Sequence, residues 1–308
     1  MKRKVAIIGG SGCIGSHTVD LFIDKKIDVT VIDIVKPHRS DVKYIECDIL
    51  DFDRIEKSLD GFTDVFCLAA VSDANENYRH PKNAMNINIQ GLNNMLLACV
   101  SAGVNRVYFS STVWVYSACD DDHVDESTYI PTNNVNHNYT ASKLSGEMLI
   151  RSYHNMYGLN YTIMRYGIAY GPRSNMDTVV STFLRRGLSG DDLCVTGDGS
   201  SYRNFMYVTD HARANHAAMN DLAENKTINF DGPESVTIQT IAEMVQQASP
   251  CDIKIIHNES RAGDYKGKTV CSDFASSKLN WKPAVDFSTG FKKMYEQYYH
   301  NIFVQRQV

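Results

Sequence analysis

One short segment constrains this chain more than any other: Gly9-Gly10-Ser11-Gly12-Cys13-Ile14-Gly15, with glycines at 9, 12 and 15 spaced three apart. It follows the apolar run Val5-Ala6-Ile7-Ile8 and precedes an amphipathic stretch over 16–25. Strand, glycine turn and helix in that order open a strand–helix–strand unit. Glycine permits the tight turn and lets backbone N–H groups approach a ligand closely. The helix that follows aims its positive end at the same point, which suits a pyrophosphate. The spacing predicts that Gly9, Gly12, Cys13, Ile14 and Gly15 line a dinucleotide phosphate site. A turn of purely structural glycines would satisfy the same pattern.

Short apolar runs alternate with amphipathic stretches through the first half. Strands are expected at Val5–Ile8, Val29–Ile32, Val65–Ala69, Arg106–Phe109 and Tyr161–Arg165, and helices at 16–25, 87–102 and 141–157. This alternation implies an α/β fold, a doubly wound parallel sheet of Rossmann type covered on both faces. After Gly171-Pro172 the loops lengthen, and helices are expected at 238–248 and 289–299. A smaller, interleaved C-terminal part follows from that change. We expect a dinucleotide-binding domain from residues 1–170 plus about 203–230, and a substrate-binding part from 171–202 and 231–308.

Composition narrows the partners. Thirty-one basic residues against 36 acidic ones give a net charge of −5, which argues against a nucleic-acid binder. No apolar run approaches the roughly 20 residues that span a bilayer, so no membrane association is expected. The eight cysteines form no Cys-x-x-Cys pair and several sit in apolar runs. They read as reduced core thiols of a cytoplasmic protein. No metal-ligand spacing stands out among the ten histidines.

Asp33 ends the second strand, 18 residues after Gly15. An acid near that distance contacts the ribose hydroxyls of a dinucleotide and repels a 2′-phosphate, favouring NAD over NADP. Lys36 and Arg39 nearby weaken that preference. Tyr139-x-x-x-Lys143 places a phenol and an ammonium on one helix face. A cation lowers a phenol's pKa, so Tyr139 could act as a general base on a sugar hydroxyl. The same spacing also describes an ordinary surface Tyr–Lys pair. Asn136 and Asn138 are candidate caps for that helix. Tyr78-x-x-x-Lys82 matches too, but His80-Pro81 breaks any helix there. Ser110-Ser111-Thr112 follows the fourth expected strand, where hydroxyls face the ligand crevice or simply close an ST turn.

Taken together these residues resemble the extended short-chain dehydrogenase/reductase family, in particular its nucleotide-sugar epimerases and dehydratases. The resemblance runs through Gly9–Gly15, Asp33, Asp48, Ala69-Ala70, Asn88-x-x-Gly91 and Ser110–Tyr116. It continues through Tyr139–Lys143, Arg165–Pro172, Gly197–Asp210 and Arg261-Ala262-Gly263-Asp264. It implies tightly bound NAD, with Asp48 and Ile49 at the adenine and Ala69, Ala70, Asn88, Ser110 and Tyr166 along the cofactor channel. Lys143 would also hold the nicotinamide ribose. Thr112, Tyr139 and Lys143 would be the catalytic residues. Thr112, Arg203, Arg261 and Asp264 would meet a nucleotide-diphosphate sugar, with the two guanidiniums on the diphosphate. A homodimer through helices near 87–102 and 141–157 is also implied.

Three departures refine the resemblance. Family dehydratases and decarboxylases need an acid just after the catalytic Thr, where this chain has Val113-Trp114. Ile168 replaces an expected asparagine that would contact the donor, and Asn204 replaces a commoner aspartate. Lys268 falls where related 4-epimerases place a residue near the sugar, although a solvent-facing lysine fits as well. The expected reaction is inversion at C4 of a nucleotide-diphosphate sugar, with a UDP-sugar as the default that the resemblance implies, through a transient 4-keto intermediate. Two alternatives stand: an NAD(P)H-dependent 4-keto nucleotide-sugar reductase, and a non-catalytic NAD-binding sensor or scaffold.

Overall fold

A computed structural model describes residues 3–135, 137–175, 177–259 and 267–299. Seven strands, all parallel, form its central sheet: Lys4–Ile8, Asp28–Asp33, Lys43–Glu46, Asp64–Cys67, Arg106–Thr112, Asn160–Tyr166 and Lys226–Phe230. In space they run 226–230, 160–166, 106–112, 64–67, 4–8, 28–33, 43–46. The chain winds outward from strand 4–8 in one direction and then in the other. The reversal between strands 4–8 and 64–67 opens a crevice at their carboxyl ends.

Apolar runs become strands here because both faces of the sheet are covered. Ala6 and Ile8 enter one core layer, with Leu92, Leu96 and Ile150. Val5 and Ile7 enter the other, with Val19, Phe22 and Trp281. The five expected strands are present. Lys43–Glu46 was not expected, because a half-exposed edge strand reading Lys-Tyr-Ile-Glu carries no apolar run. Strand 226–230 was likewise missed.

Helix Asn138–Tyr157 begins three residues earlier than expected, and its cap is His137, whose Nδ1 accepts from Thr140 N at 3.3 Å. Asn138 is already helical, and Asn136 lies outside the described residues. Segments Pro81–Met85, Asn86–Gly91 and Leu92–Ser101 follow one another, the middle one a π-helical turn. Helix Ala74–Arg79 ends at His80, so Tyr78 and Lys82 do not share a helix.

Strands Ile168–Tyr170, Tyr202–Tyr207 and Ser235–Thr237 make a small sheet, and Leu193–Thr196 pairs with Ile255–Asn258. Helices Val179–Ser189, Ile238–Ala248 and Phe287–Tyr299 close a third core over them. Two segments cross the expected domain division. Strand 202–207 belongs to the small sheet. Residues 275–281 return to the main one, where Trp281 meets Phe230 edge-on at 4.9 Å. All eight cysteines are free thiols; 47, 67, 99 and 119 are buried, while Cys194 and Cys251 are exposed. Among the described residues no helix is long and apolar enough to cross a membrane.

Candidate active site

The glycine turn lies at the mouth of the crevice. Gly9 adopts φ +84°, and a Cβ there would overlap the backbone of Ala69. A Cβ on Gly15 would overlap the Gly9 carbonyl. Helix Cys13–Asp24 starts immediately after Gly12 and carries no acid in its first turn. First-turn N–H groups have no partner within a helix, so this end suits an anion. Burial pushes the Cys13 thiol up to about 12, so it stays neutral beside that end. The Asp33 carboxylate accepts from Ser11 N at 2.9 Å and Val35 N at 3.1 Å, which fixes an acid beside the turn. Arg39 is committed elsewhere, to Asp41 at 2.7 Å and Asp20 at 3.3 Å. These residues fit a dinucleotide without a 2′-phosphate.

Other expected cofactor residues separate into walls and supports. Ala69 and Ala70 follow strand 64–67, and Ala69 N donates to Ile8 O at 3.0 Å, placing the pair beside Gly9. Asp48 is exposed and turns the chain by accepting from Leu50 N at 2.9 Å. The Ile49 side chain packs into the core against Gly91, leaving only its backbone for a ligand.

Two of the expected residues have their polar groups engaged within the protein. Asn88 is a strut: its amide accepts from Val71 N and donates to Val71 O and to Ser142 Oγ. Tyr166 points away from the crevice, because it shares strand parity with Met164 and Thr162. Its phenol donates to Asn215 deep in the helix layer.

The catalytic candidates come together. Strand 106–112 ends at Thr112, and helix 138–157 crosses it. The Thr112 hydroxyl lies on the Tyr139 phenol side, near enough to favour its charged form. Lys143 Nζ donates to the Ser110 carbonyl at 2.7 Å and lies 5.7 Å from the Tyr139 ring centroid. Ser110 therefore acts through Lys143, its own hydroxyl donating to Cys67 O at 3.0 Å. Only 4% of Lys143 is exposed, and among the described residues no carboxylate pairs with it. Burial lowers its pKa to about 8. Burial also raises Tyr139 to about 12, against a smaller opposing effect of the Thr112 hydroxyl. The expected depression of the phenol is thus not a property of the protein alone; further positive charge has to supply it.

One turn along the same helix, Glu147 accepts from Ser111 Oγ at 2.7 Å and takes two bonds from Arg165, at 2.9 and 2.7 Å. Arg165 also donates to Tyr116 OH at 2.7 Å. The Ser111, Tyr116 and Arg165 motif positions form this scaffold, their polar ends bonded to one another and to Glu147.

On the donor side, Arg203 is half-buried, donates to Tyr202 O at 2.7 Å and lies 5.4 Å over the Trp114 ring. Asn204 donates to Asp231 at 2.6 Å; that buried carboxyl rises to about 7, so an acid stands beside position 204 after all. Ile168 sits in the small sheet opposite Phe205. Lys268 faces the acidic loop, 3.5 Å from Asp120 O and 3.7 Å from Asp122. Arg261 and Asp264 lie outside the described residues. Two residues escaped the sequence reading: Trp114 and His137, whose rings stand 5.2 Å apart beside Tyr139. A tryptophan two residues past a strand-end hydroxyl was the available signal.

Residues 5–230 match the model of the NAD dependent epimerase/dehydratase family. A UDP-N-acetyl-alpha-D-glucosaminuronate decarboxylase of Bacillus cytotoxicus is 31% identical over 274 residues, 83% of this chain and 84% of the relative. The fold matches a Thermotoga maritima UDP-glucose 4-epimerase solved with UDP-glucose, with TM-score 0.89, 28% identity and coverage of 97% and 99%. It also matches a Thermus thermophilus UDP-glucose 4-epimerase in complex with NAD, with TM-score 0.82, 26% identity and coverage of 96% and 98%. The glycine turn, Asp33 and the Thr112–Tyr139–Lys143 cluster thus sit on the fold those enzymes share, and the chain belongs to the NAD-dependent epimerase/dehydratase family.

Proposed function

We propose that the protein inverts C4 of a UDP-linked hexose or pentose. The carrying observation is the pairing of Thr112, Tyr139 and Lys143 with Val113-Trp114, where an acid would be needed to expel or protonate a group. Such a site can move a proton at O4 but offers no side-chain acid at that spot for dehydration.

Gly9, Gly12 and Gly15 with the first turn of helix 13–24 would hold the pyrophosphate, Asp33 the adenosine ribose and Lys143 the nicotinamide ribose. NAD⁺ would supply a hydride acceptor at C4, give the hydride back, and place positive charge beside the phenol. Tyr139 takes the O4 proton as the C4–H bond breaks, and Thr112 orients that hydroxyl. The resulting 4-keto sugar turns over in the pocket. Tyr139 then returns the proton to O4 on the other epimer. Arg203 is the described cation for the diphosphate, so the donor is anchored at one end while its sugar turns. Retention of NAD between turnovers follows, since the cofactor ends each cycle oxidised.

Exposed Leu97, Met148 and Tyr157 on helices 92–101 and 138–157 support a homodimer through those helices. The test of function is incubation with UDP-, GDP-, CDP- and dTDP-sugars, including UDP-glucuronate, read by NMR. We expect inversion at C4 of a UDP-sugar. Inversion at C5 alone, carbon dioxide release from a hexuronate, or activity only with added NADPH would each contradict it.

A further inference from the structure

In a pyranosyl donor the diphosphate sits on C1, and the oxidised carbon, C4, lies across the ring. On the reading proposed above, C1 is tethered near Arg203 and O4 meets Thr112 and Tyr139. A chain of aromatic side chains connects those two anchors. Arg203 lies 5.4 Å over the Trp114 ring. Trp114 stands 5.2 Å from His137, and His137 stacks on Tyr139 at 6.4 Å with only 14° between planes. Thr112 and Trp114 are linked directly, Trp114 N donating to the Thr112 hydroxyl at 3.2 Å. His137 is held in turn by its capping bond from Thr140 N. Trp114 and His137 are both half-buried, each keeping surface for contact.

We propose that Trp114 is the sugar-binding platform of this enzyme, the surface against which the pyranose of the nucleotide-diphosphate hexose packs and turns over. The chemistry of the site calls for such a surface. An intermediate that must present both faces to one reactive point cannot be held by hydrogen bonds aimed at one orientation. An indole gives dispersion contact to the C–H groups of a sugar with little directional demand. It can therefore hold both epimers and the ketone between them. The cation over the ring strengthens the assembly and keeps the indole in place.

This inference rests on the donor reading above, so its test separates the two. UDP-glucose and UDP are titrated by calorimetry into NAD-loaded protein carrying Tyr139→Phe, which blocks chemistry. The same is done with Trp114→Ala or Trp114→Phe added. We expect Trp114→Ala to weaken UDP-glucose binding about ten-fold, the effect of an aromatic contact, and to weaken UDP binding much less, through Arg203 alone. Trp114→Phe should recover most of the loss, which also shows that the fold tolerates the site being altered. Equal weakening of UDP and UDP-glucose, or no weakening of either, overturns the proposal. Trp114-dependent binding of UDP-glucose by a protein that does not invert C4 sinks the reaction reading and leaves the platform standing. C4 inversion with an unchanged KM and kcat in Trp114→Ala does the reverse. Failure of UDP-glucose to bind the parent protein overturns both.

Discussion

Lys143 and Glu147 lie one turn apart on the same helix, both buried and both of ionisable type, and the structure treats them oppositely. Glu147 is met by the guanidiniums of Arg165 and Arg151 and by the Ser111 hydroxyl, which hold its carboxyl below the usual range against its burial. Lys143 has a carbonyl and a hydroxyl for company and no carboxylate among the described residues, and its pKa falls to about 8. One charge is neutralised in place and serves as a rivet between helix and sheet. The other is left uncompensated at the crevice, where an anion or a developing phenolate is its natural partner. Buried charge alone therefore does not mark a catalytic residue; buried charge without a counter-charge, facing the ligand side, is the better sign.

The largest effect is expected at the reactive end of this pair. Tyr139→Phe should lower C4 interconversion by roughly 10²–10⁴-fold, the usual worth of a positioned acid–base group, with the melting temperature little changed. Retained activity would remove the phenol from the mechanism. Glu147→Gln should act the other way round. It leaves Arg165 buried beside a neutral amide, costing about 3–5 kcal/mol, which calorimetry reads as a Tm loss of roughly 10 °C. The kcat of the folded fraction should be retained.

Lys143→Met should abolish turnover yet stabilise the ligand-free protein near pH 7 by about 3 kcal/mol, the equivalent of a shift from 10.5 to about 8. Denaturant titration measures it, and destabilisation at pH 7 would contradict an uncompensated charge.

The smallest effects sharpen the contrast by pH. Between pH 8 and 10.5 the unfolded chain keeps the Lys143 proton that the folded chain has lost, so wild-type stability gains on Lys143→Met through that window. The advantage of Lys143→Met should shrink to nothing near pH 10.5. Glu147 works at the acid end. Its folded pKa is depressed, so its stabilisation is complete above about 4.5 and is lost as pH falls through the folded value. The penalty of Glu147→Gln should fade over that acid range.

The two ends of the molecule differ in how far the sequence reveals them. Gly9–Gly15, Asp33 and the Tyr139–Lys143 pair were readable because backbone geometry and fixed spacings generate them, a strand, a turn, a helix face; Thr112 was singled out by the family resemblance. Gly9, Asp33 and Thr112 stand at or just past the carboxyl ends of strands 4–8, 28–33 and 106–112, which the parallel order puts on one edge of the sheet. Roles that depend on which way a side chain faces were harder. Tyr166 belongs to the parity of Met164 and Thr162 and so turns inward, a signal that alternation along the strand did contain. Asn88 looked like a ligand residue, yet its amide is consumed by Val71 and Ser142. Trp114 and His137 come from separate segments, and only tertiary packing sets their rings side by side.

The central claim is that Tyr139, Thr112 and Lys143 run a closed oxidation and return at C4 of a UDP-sugar. The direct measurement follows UDP-glucose deuterated at C4 through the wild-type protein by NMR. The account predicts a C4-inverted product that keeps its deuterium at C4, without added reductant. Deuterium lost to solvent, or conversion that requires stoichiometric NADPH, would contradict it.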